Sequence, residues 1–378
     1  MSPIYKVWKW LFALSFMLTG VTVFALPPDS VSLLFVGDLM QHMPQIAAAR
    51  QPDGKYDYSD CFKHVAGEIE KADLAIGNLE VALGGKPYSG YPAFSAPDEF
   101  AEAIRNAGFD VLLTANNHCL DRRGRGLVRT LDVLDSLCVL HTGTFRTREE
   151  REGQYPLLIV KQGFRIVLLN YTYGTNGIPV SSPNVVNFID KKLICADILK
   201  ARLMHPDVII ACMHWGIEYE QQPERQARDL AKWMISLGVD HVIGSHPHVV
   251  QPVEVWKDEK TPDRHVVAYS LGNFISNMSS RNTDGGLVLK LSLRRTKGIT
   301  RLDKCAYAFV WTSRPVLSGR RNFEIYPSSF NPEGMRDMEK RRFFNYLALS
   351  RDFFRNCTKG IKEYFFDRRT NETFVELK

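Results

Sequence analysis

The feature that most constrains this chain is a recurring pairing of a short apolar run with a polar cluster directly after it. Five clusters stand out: Gly37-Asp38 with His42, Gly77-Asn78-Leu79-Glu80, Asn116-Asn117-His118, His214-Trp215-Gly216 and Ser245-His246-Pro247-His248. The preceding runs, among them Val31 to Val36, Asp110 to Thr114, Val208 to Cys212 and His241 to Ile243, read as buried strands. In an open α/β sheet, ligands bind outside the carboxyl ends of the strands, so clusters far apart in sequence can meet on one edge. What would meet is a set of carboxylates, amides and imidazoles, the mixed oxygen and nitrogen donors that suit a divalent metal centre.

Strand candidates alternate with amphipathic helix candidates: Val31 to Val36, helix 59–70, Leu74 to Ile76, helix 98–107, Asp110 to Thr114 and helix 124–137. This is the rhythm of α/β layering. Pro97 opens the second of these helices and Gly108 closes it. The pair Leu157 to Lys161 and Arg165 to Asn170 reads as a hairpin across Gln162-Gly163. Helix 190–203, strand Val208 to Cys212, helix 223–237 and strand His241 to Ile243 follow. From Pro252 to about Val310 strands predominate, which points to a second sheet and a layered sandwich with helices outside. Segment 331–357 places Met335, Met338, Phe343, Phe344, Leu347 and Phe354 at helical spacing, the pattern of a helix packed on the body.

A hydrophobic content of 45% in 378 residues excludes global disorder and allows one large core or two domains. The excess of 48 basic over 42 acidic residues slightly favours anionic partners. The Arg-rich stretches near 294–301, 320–321 and 336–342 lack interleaved aromatic residues, so they read as solvated faces and not as a nucleic-acid surface. At the start, Lys6 and Lys9 precede an apolar run from Leu11 to Leu26, and Val23-Phe24-Ala25 resembles a cleavage site. Residues 1–26 are thus expected to be a secretory signal peptide or a membrane anchor, the run being near the lower end of the about 17 to 25 residues that span a bilayer. Either outcome implies an exported protein. The seven cysteines have no paired spacing, and a disulfide framework is not expected.

The ordered strings Gly37-Asp38, Gly77-Asn78-Leu79-Glu80, Ala115-Asn116-Asn117-His118, Tyr171-Thr172-Tyr173-Gly174-Thr175-Asn176-Gly177, His214-Trp215-Gly216, Gly244-Ser245-His246-Pro247-His248 and Ser270-Leu271-Gly272-Asn273-Phe274 carry a resemblance. From Val31 to about Val310 the chain resembles the CapA family of poly-gamma-glutamate capsule biosynthesis proteins, related to the calcineurin-like metallophosphoesterases. The resemblance implies an α/β, metallophosphoesterase-like four-layer αββα sandwich over 27–318; residues 319–378 fall outside it and read, from their helical spacing, as a C-terminal helical extension. The resemblance also implies two divalent ions of manganese, iron or zinc, held by Asp38, His42, Glu80, Asn117, His214, His246 and His248. His118 matches the position of the residue that protonates the leaving group. Asn78, Asn116, Tyr173 and Trp215 are expected to line the substrate cleft. His42 departs from the pattern, following Asp38 by four residues where two are usual.

Each of these residues also has a plainer reading. A lone His after a strand, such as His214, is often a hydrogen-bonded structural residue. Asp38, Asn116 and Asn117 belong to types that favour caps and Asx turns. The closing His246-Pro247-His248 is more specific, because in an extended segment residues two apart share a face. Glu80 after an apolar strand is hardest to explain structurally, since an unpaired buried carboxylate is costly.

Two functions follow from different classes. The first is an exported metal-dependent hydrolase acting on a polyanionic or capsule-related substrate, through gamma-glutamyl amides or phosphoesters. The second is a polymer-binding or export protein on the same fold without catalysis. An anionic polymer or a phosphorylated molecule is the partner in either case. The resemblance adds membrane-bound capsule-synthesis machinery as a possible partner, and no nucleic acid is expected.

Overall fold

The computed structural model describes residues 28–258, 261–358 and 360–366, so the expected leader lies outside the described residues. The chain opens with β1 (Ser30–Leu39), α1 (Met43–Ala49), α2 (Ala66–Ile69), β2 (Leu74–Leu79), α3 (Asp98–Asn106), β3 (Val111–Leu113) and α4 (Arg123–Ser136). Next come β4 (Leu140–Thr142), β5 (Thr144–Phe145), α5 (Arg148–Gln154), β6 (Leu157–Lys161), β7 (Phe164–Thr172) and β8 (Val185–Val186). The middle continues with α6 (Lys191–Leu203), β9 (Val208–His214), α7 (Arg225–Ser236), β10 (His241–Ser245), β11 (Val253–Lys257) and β12 (Arg264–Ala268). The last part holds β13 (Asn273–Ile275), β14 (Gly285–Thr296), β15 (Ile299–Ser313), α8 (Pro315–Ser318), β16 (Glu324–Pro327), α9 (Asp337–Cys357) and β17 (Lys362–Glu363).

Two sheets form the centre. The first has the order β16-β15-β14-β1-β2-β3-β4, with β13 also on β1 and β17 also on β15. Its β1 to β4 half is parallel, and β14 to β16 add an antiparallel half. The second has the order β11-β12-β10-β9-β7-β6, with four parallel inner strands and antiparallel edges.

Alternation along each strand sorts side chains into layers. Leu33 and Phe35 of β1 face a core shared with Ile166 and Leu168 of β7 and Ile210 of β9. Leu34 and Val36 point the other way, against Phe100 and Ile104 of α3. On the far side, Val167 and Leu169 of β7 pack with Ile194 and Ile198 of α6 and with Met234 of α7. The result is the α/β four-layer sandwich, with helices outside both sheets.

Three details depart from the sequence expectations. The strand-rich stretch after Pro252 does not form a sheet of its own. Its first strands, β11 and β12, complete the second sheet, whereas β14 pairs with β1 from Ser30↔Arg294 to Val36↔Val288 and extends the first. The expected helix 59–70 is broken into a 3₁₀ turn, Ser59–Cys61, and the short α2. The break lets Lys63 and His64 reach the buried Glu324 at 2.9 and 3.3 Å. The segment after 319 is helical in α9 but also contributes strands β16 and β17 to the first sheet. Phe343, Tyr346, Leu347 and Phe354 of α9 enter the inter-sheet core, while Met338 and Phe344 are exposed. All seven cysteines are free thiols.

Candidate metal centre

The polar clusters meet where the parallel strands of both sheets end. Asp38 pairs across the sheet with Asn78 of β2 on one side and Asn273 of β13 on the other. His214 and Ser245 are matched at the ends of β9 and β10. Close backbone approach makes this edge. A Cβ on Gly37 would stand 1.8 Å from the Gly272 carbonyl oxygen, and one on Gly244 would stand 2.0 Å from that of Tyr269. Only glycine allows either contact.

Asp38, Glu80, His214, His246 and His248 are all buried, with exposures of 2% or less. Two subsets bring their ligand atoms within 4.8 Å of one another: Glu80, His246 and His248, and Asp38, Glu80 and His214. Glu80 belongs to both sets and would be shared between them, whereas Asp38 is in only one. His214 Nε2 lies 3.0 Å from Asn117 Oδ1 and 3.7 Å from Glu80 Oε1, so Asn117 adjoins the second set.

His248 has a defined tautomer. Its Nδ1 lies 3.1 Å from Asp38 Oδ2 and 3.1 Å from Asn273 Oδ1, two acceptors, and the Asn273 amide nitrogen is committed to the Thr283 carbonyl at 2.8 Å. Both acceptors call for a proton on Nδ1, so that in the neutral ring the Nε2 lone pair faces Glu80 Oε1 at 3.7 Å. A carboxylate behind a ligating imidazole is the common second contact of metal-bound histidines.

The route by which His246 and His248 converge differs from the expectation of an extended segment. Both residues adopt left-handed backbone, with φ of 102° and 58°, and their ring centroids end 5.9 Å apart. Positive φ at a non-glycine residue is sparsely populated and concentrates at functional sites. The turn, and not strand alternation, aims the two rings.

Electrostatics set these groups in opposition. Burial works to raise the Asp38 carboxyl, but the His248 and Asn78 contacts outweigh it and hold it below the usual range. Burial and the neighbouring Asp38 charge push Glu80 well above its ordinary value. Burial lowers His214 well below the usual imidazole range and His246 to about 3, with the facing imidazoles adding to both. A neutral imidazole is the form that binds a metal.

The donor set fits divalent cations. Glu80 Oε1, Asn78 Oδ1 and His246 Nδ1 are buried without a hydrogen-bond partner. Each such atom costs about 1–3 kcal/mol unless it is satisfied, and all three belong to the cluster where a cation would satisfy them.

The other expected residues take varied places. His118 is beside the centre, with Nδ1 2.8 Å from Asp121 Oδ2 and its ring edge-on to Phe94. Asp121 also accepts the Phe94 N–H at 2.7 Å, so it is fixed from two sides. Asn78 lies among the carboxylates and donates to Asp38 Oδ1 at 2.7 Å. Asn116 is fully buried, donating to the Leu79 carbonyl at 2.7 Å and accepting from the His118 N–H at 3.1 Å. Both asparagines brace the cluster; neither presents a surface to a cleft. Trp215 is buried in the outer core of the second sheet, its indole N–H donating to the Tyr269 carbonyl at 2.9 Å. Tyr173 is 47% exposed and covers His246 with ring centroids 4.5 Å apart. His42 stands outside both ligand sets, with its N–H on Gln45 Oε1 at the start of α1.

Sequence reading missed Asp121 and Asn273 as site residues. Asp121 carried a signal in its spacing, three residues after His118 on one face of a turn. Asn273 meets His248 across 25 residues and only through β13.

Fold and centre together define the class: a four-layer α/β protein with a buried carboxylate and imidazole centre at its strand ends. Residues 32–278 match the family model for the bacterial capsule synthesis protein PGA_cap, and the chain belongs to that family. It is similar to the capsule biosynthesis protein CapA of Bacillus anthracis, 26% identical over 282 residues, which cover 70% of this chain and 64% of that protein. It is equally similar to the PGA biosynthesis protein CapA of Bacillus subtilis (strain 168), 26% identical over 276 residues, covering 69% and 67%. The chain thus spans about two thirds of the length of these relatives. Among solved structures, the calcineurin-like phosphoesterase YfkN of Bacillus subtilis aligns with a TM-score of 0.45 at 14% identity, covering 87% of this chain and 100% of that one.

Proposed function

We propose that the chain is an exported metal-dependent hydrolase that acts on an anionic, capsule-type polymer. The observation that carries this reading is the pair of ligand sets sharing Glu80, with buried donor atoms left unsatisfied by the protein. Asp38, Glu80, His214, His246 and His248 would hold the ions, with Asn117 beside them. When bound, divalent ions supply a Lewis acid and lower the pKa of water from 15.7 to about 7.

The protein's own groups then divide the remaining work. Asp38 and Asn273 hold the His248 ring in the tautomer that leaves Nε2 free. Asn78 bridges the two carboxylates, with Nδ2 2.7 Å from Asp38 and 3.4 Å from Glu80, and so limits their mutual repulsion. His118 is the group positioned to hand a proton to a leaving atom, and Asp121 fixes the direction of its ring. Tyr173 shields the imidazoles from bulk water.

The metal set suits amide and phosphoester cleavage alike, and the capsule relatives favour a polyglutamate. Full-length protein loaded with Mn²⁺, Zn²⁺ or Fe²⁺ is expected to cleave gamma-glutamyl amides, with phosphoesters as the comparison substrate. Cleavage of neither would contradict the hydrolase reading and leave polymer binding or export as the function.

A further inference from the structure

The edge that carries the ligand cluster also carries Arg314, a cation with no carboxylate within ion-pair distance among the described residues. Arg314 directly follows Ser313, the last residue of β15. β15 is antiparallel to β14, and β14 is antiparallel to β1, so β15 and β1 end on the same edge. Two strand spacings separate them, roughly 10 Å. His42 follows the last residue of β1, Leu39, by three positions. Both His248 and Arg314 act on it electrostatically, and its Nδ1 lies 3.4 Å from the Asn277 backbone nitrogen. Arg314 in turn donates to the carbonyl of Met278. The loop 277–278 therefore links the two side chains.

The Arg314 guanidinium is half-buried, and its Nε is buried with no hydrogen-bond partner. Among the described residues no carboxylate forms an ion pair with it. Asp284 acts from longer range and is engaged by the Trp311 indole N–H at 3.0 Å, while Arg342 of α9 adds a second positive charge. Arginine does not shed its charge in proteins, and an uncompensated, partly desolvated charge is unfavourable. An anionic ligand removes that penalty, and the planar guanidinium fork matches a carboxylate in bidentate fashion.

We propose that Arg314, linked to His42 through the loop 277–278, forms a carboxylate subsite that aligns an anionic polymer across the metal centre. This inference rests on the polymer reading above and adds to it the residue that selects for the repeating charge. The family match ends at residue 278 and does not reach Arg314.

The test is isothermal titration of full-length, Mn²⁺-loaded protein with a short gamma-linked glutamate oligomer and with the same oligomer amidated on its free carboxylates. Arg314→Gln is expected to weaken oligomer binding at least tenfold with metal content unchanged, and Arg314→Lys to recover part of the loss. The amidated oligomer is expected to bind wild type at least tenfold more weakly than the free acid. The Tm of Arg314→Gln is expected to equal or exceed that of wild type, because an uncompensated charge is removed. Equal oligomer affinity in wild type and Arg314→Gln would overturn the subsite alone. Failure of wild type to bind the oligomer would overturn both the subsite and the polymer reading. A lower Tm with unchanged affinity would assign Arg314 a structural role and overturn the subsite as well.

Discussion

At the residue scale, His118 and Asp121 form the pair most directly open to test. His118 is held by a 2.8 Å contact to Asp121 Oδ2, and general acid catalysis by a positioned side chain contributes about 10² to 10⁴ in rate. His118→Ala should lower kcat by about that factor, with metal content intact. Asp121→Asn should lower kcat less, because the ring loses the partner that fixes its direction. Unchanged kcat in both variants would remove His118 from the chemistry. His246 gives a second prediction. Its folded imidazole is lowered by burial from 6.5 to about 3, so as pH falls the unfolded chain takes up the proton first. Stability present above pH 6.5 should be lost as pH drops towards 3, and His42, lowered by burial to about 4, acts in the same direction. Thermal melts of metal-free protein should therefore fall steeply through this window, and His246→Phe should flatten the slope. A Tm independent of pH across that range would contradict the burial argument. The ligand clusters were legible in the sequence because each is contiguous. Asn273 was not, since its role arises from strand pairing, and Trp215 misled because adjacency to His214 says nothing about which side of the strand a ring occupies.

At the element scale, the parallel strands and their order of helices were readable from apolar runs and from Pro97 and Gly108, which bracket α3 (Asp98–Asn106). What periodicity cannot express is which sheet a strand joins. β14 reads like any alternating strand, yet its register with β1 divides the C-terminal strands between two sheets. Helix α9 was readable from its spacing, but its depth was not: Phe343 and Phe354 reach 1% exposure inside the shared core. Phe343→Ala should destabilise the whole domain by about 3–5 kcal/mol, measured by chemical denaturation as a shift in midpoint with an unchanged slope. A loss below about 1 kcal/mol would show that α9 rests on the body without completing its core.

At the scale of the whole molecule, the four layers bring donors from both sheets to one edge, and cation binding should stabilise their union. A ligand present at a hundred times its Kd adds about 2.7 kcal/mol to the folded state. Chelation should therefore lower Tm by several degrees and Mn²⁺ should restore it; an identical Tm with and without chelator would argue against a built site. Among the described residues no helix is long and apolar enough to cross a membrane. The export proposed here rests on the sequence of the first 26 residues. Metal content by mass spectrometry distinguishes a centre in which Glu80 serves two ions, as proposed, from one in which it does not. Full-length wild type, purified without chelator, should carry about two equivalents, the number that a shared carboxylate serves in two-metal sites, and Glu80→Gln should lose both. A wild type that stays metal-free after reloading, or a Glu80→Gln variant that retains both ions, would contradict the account.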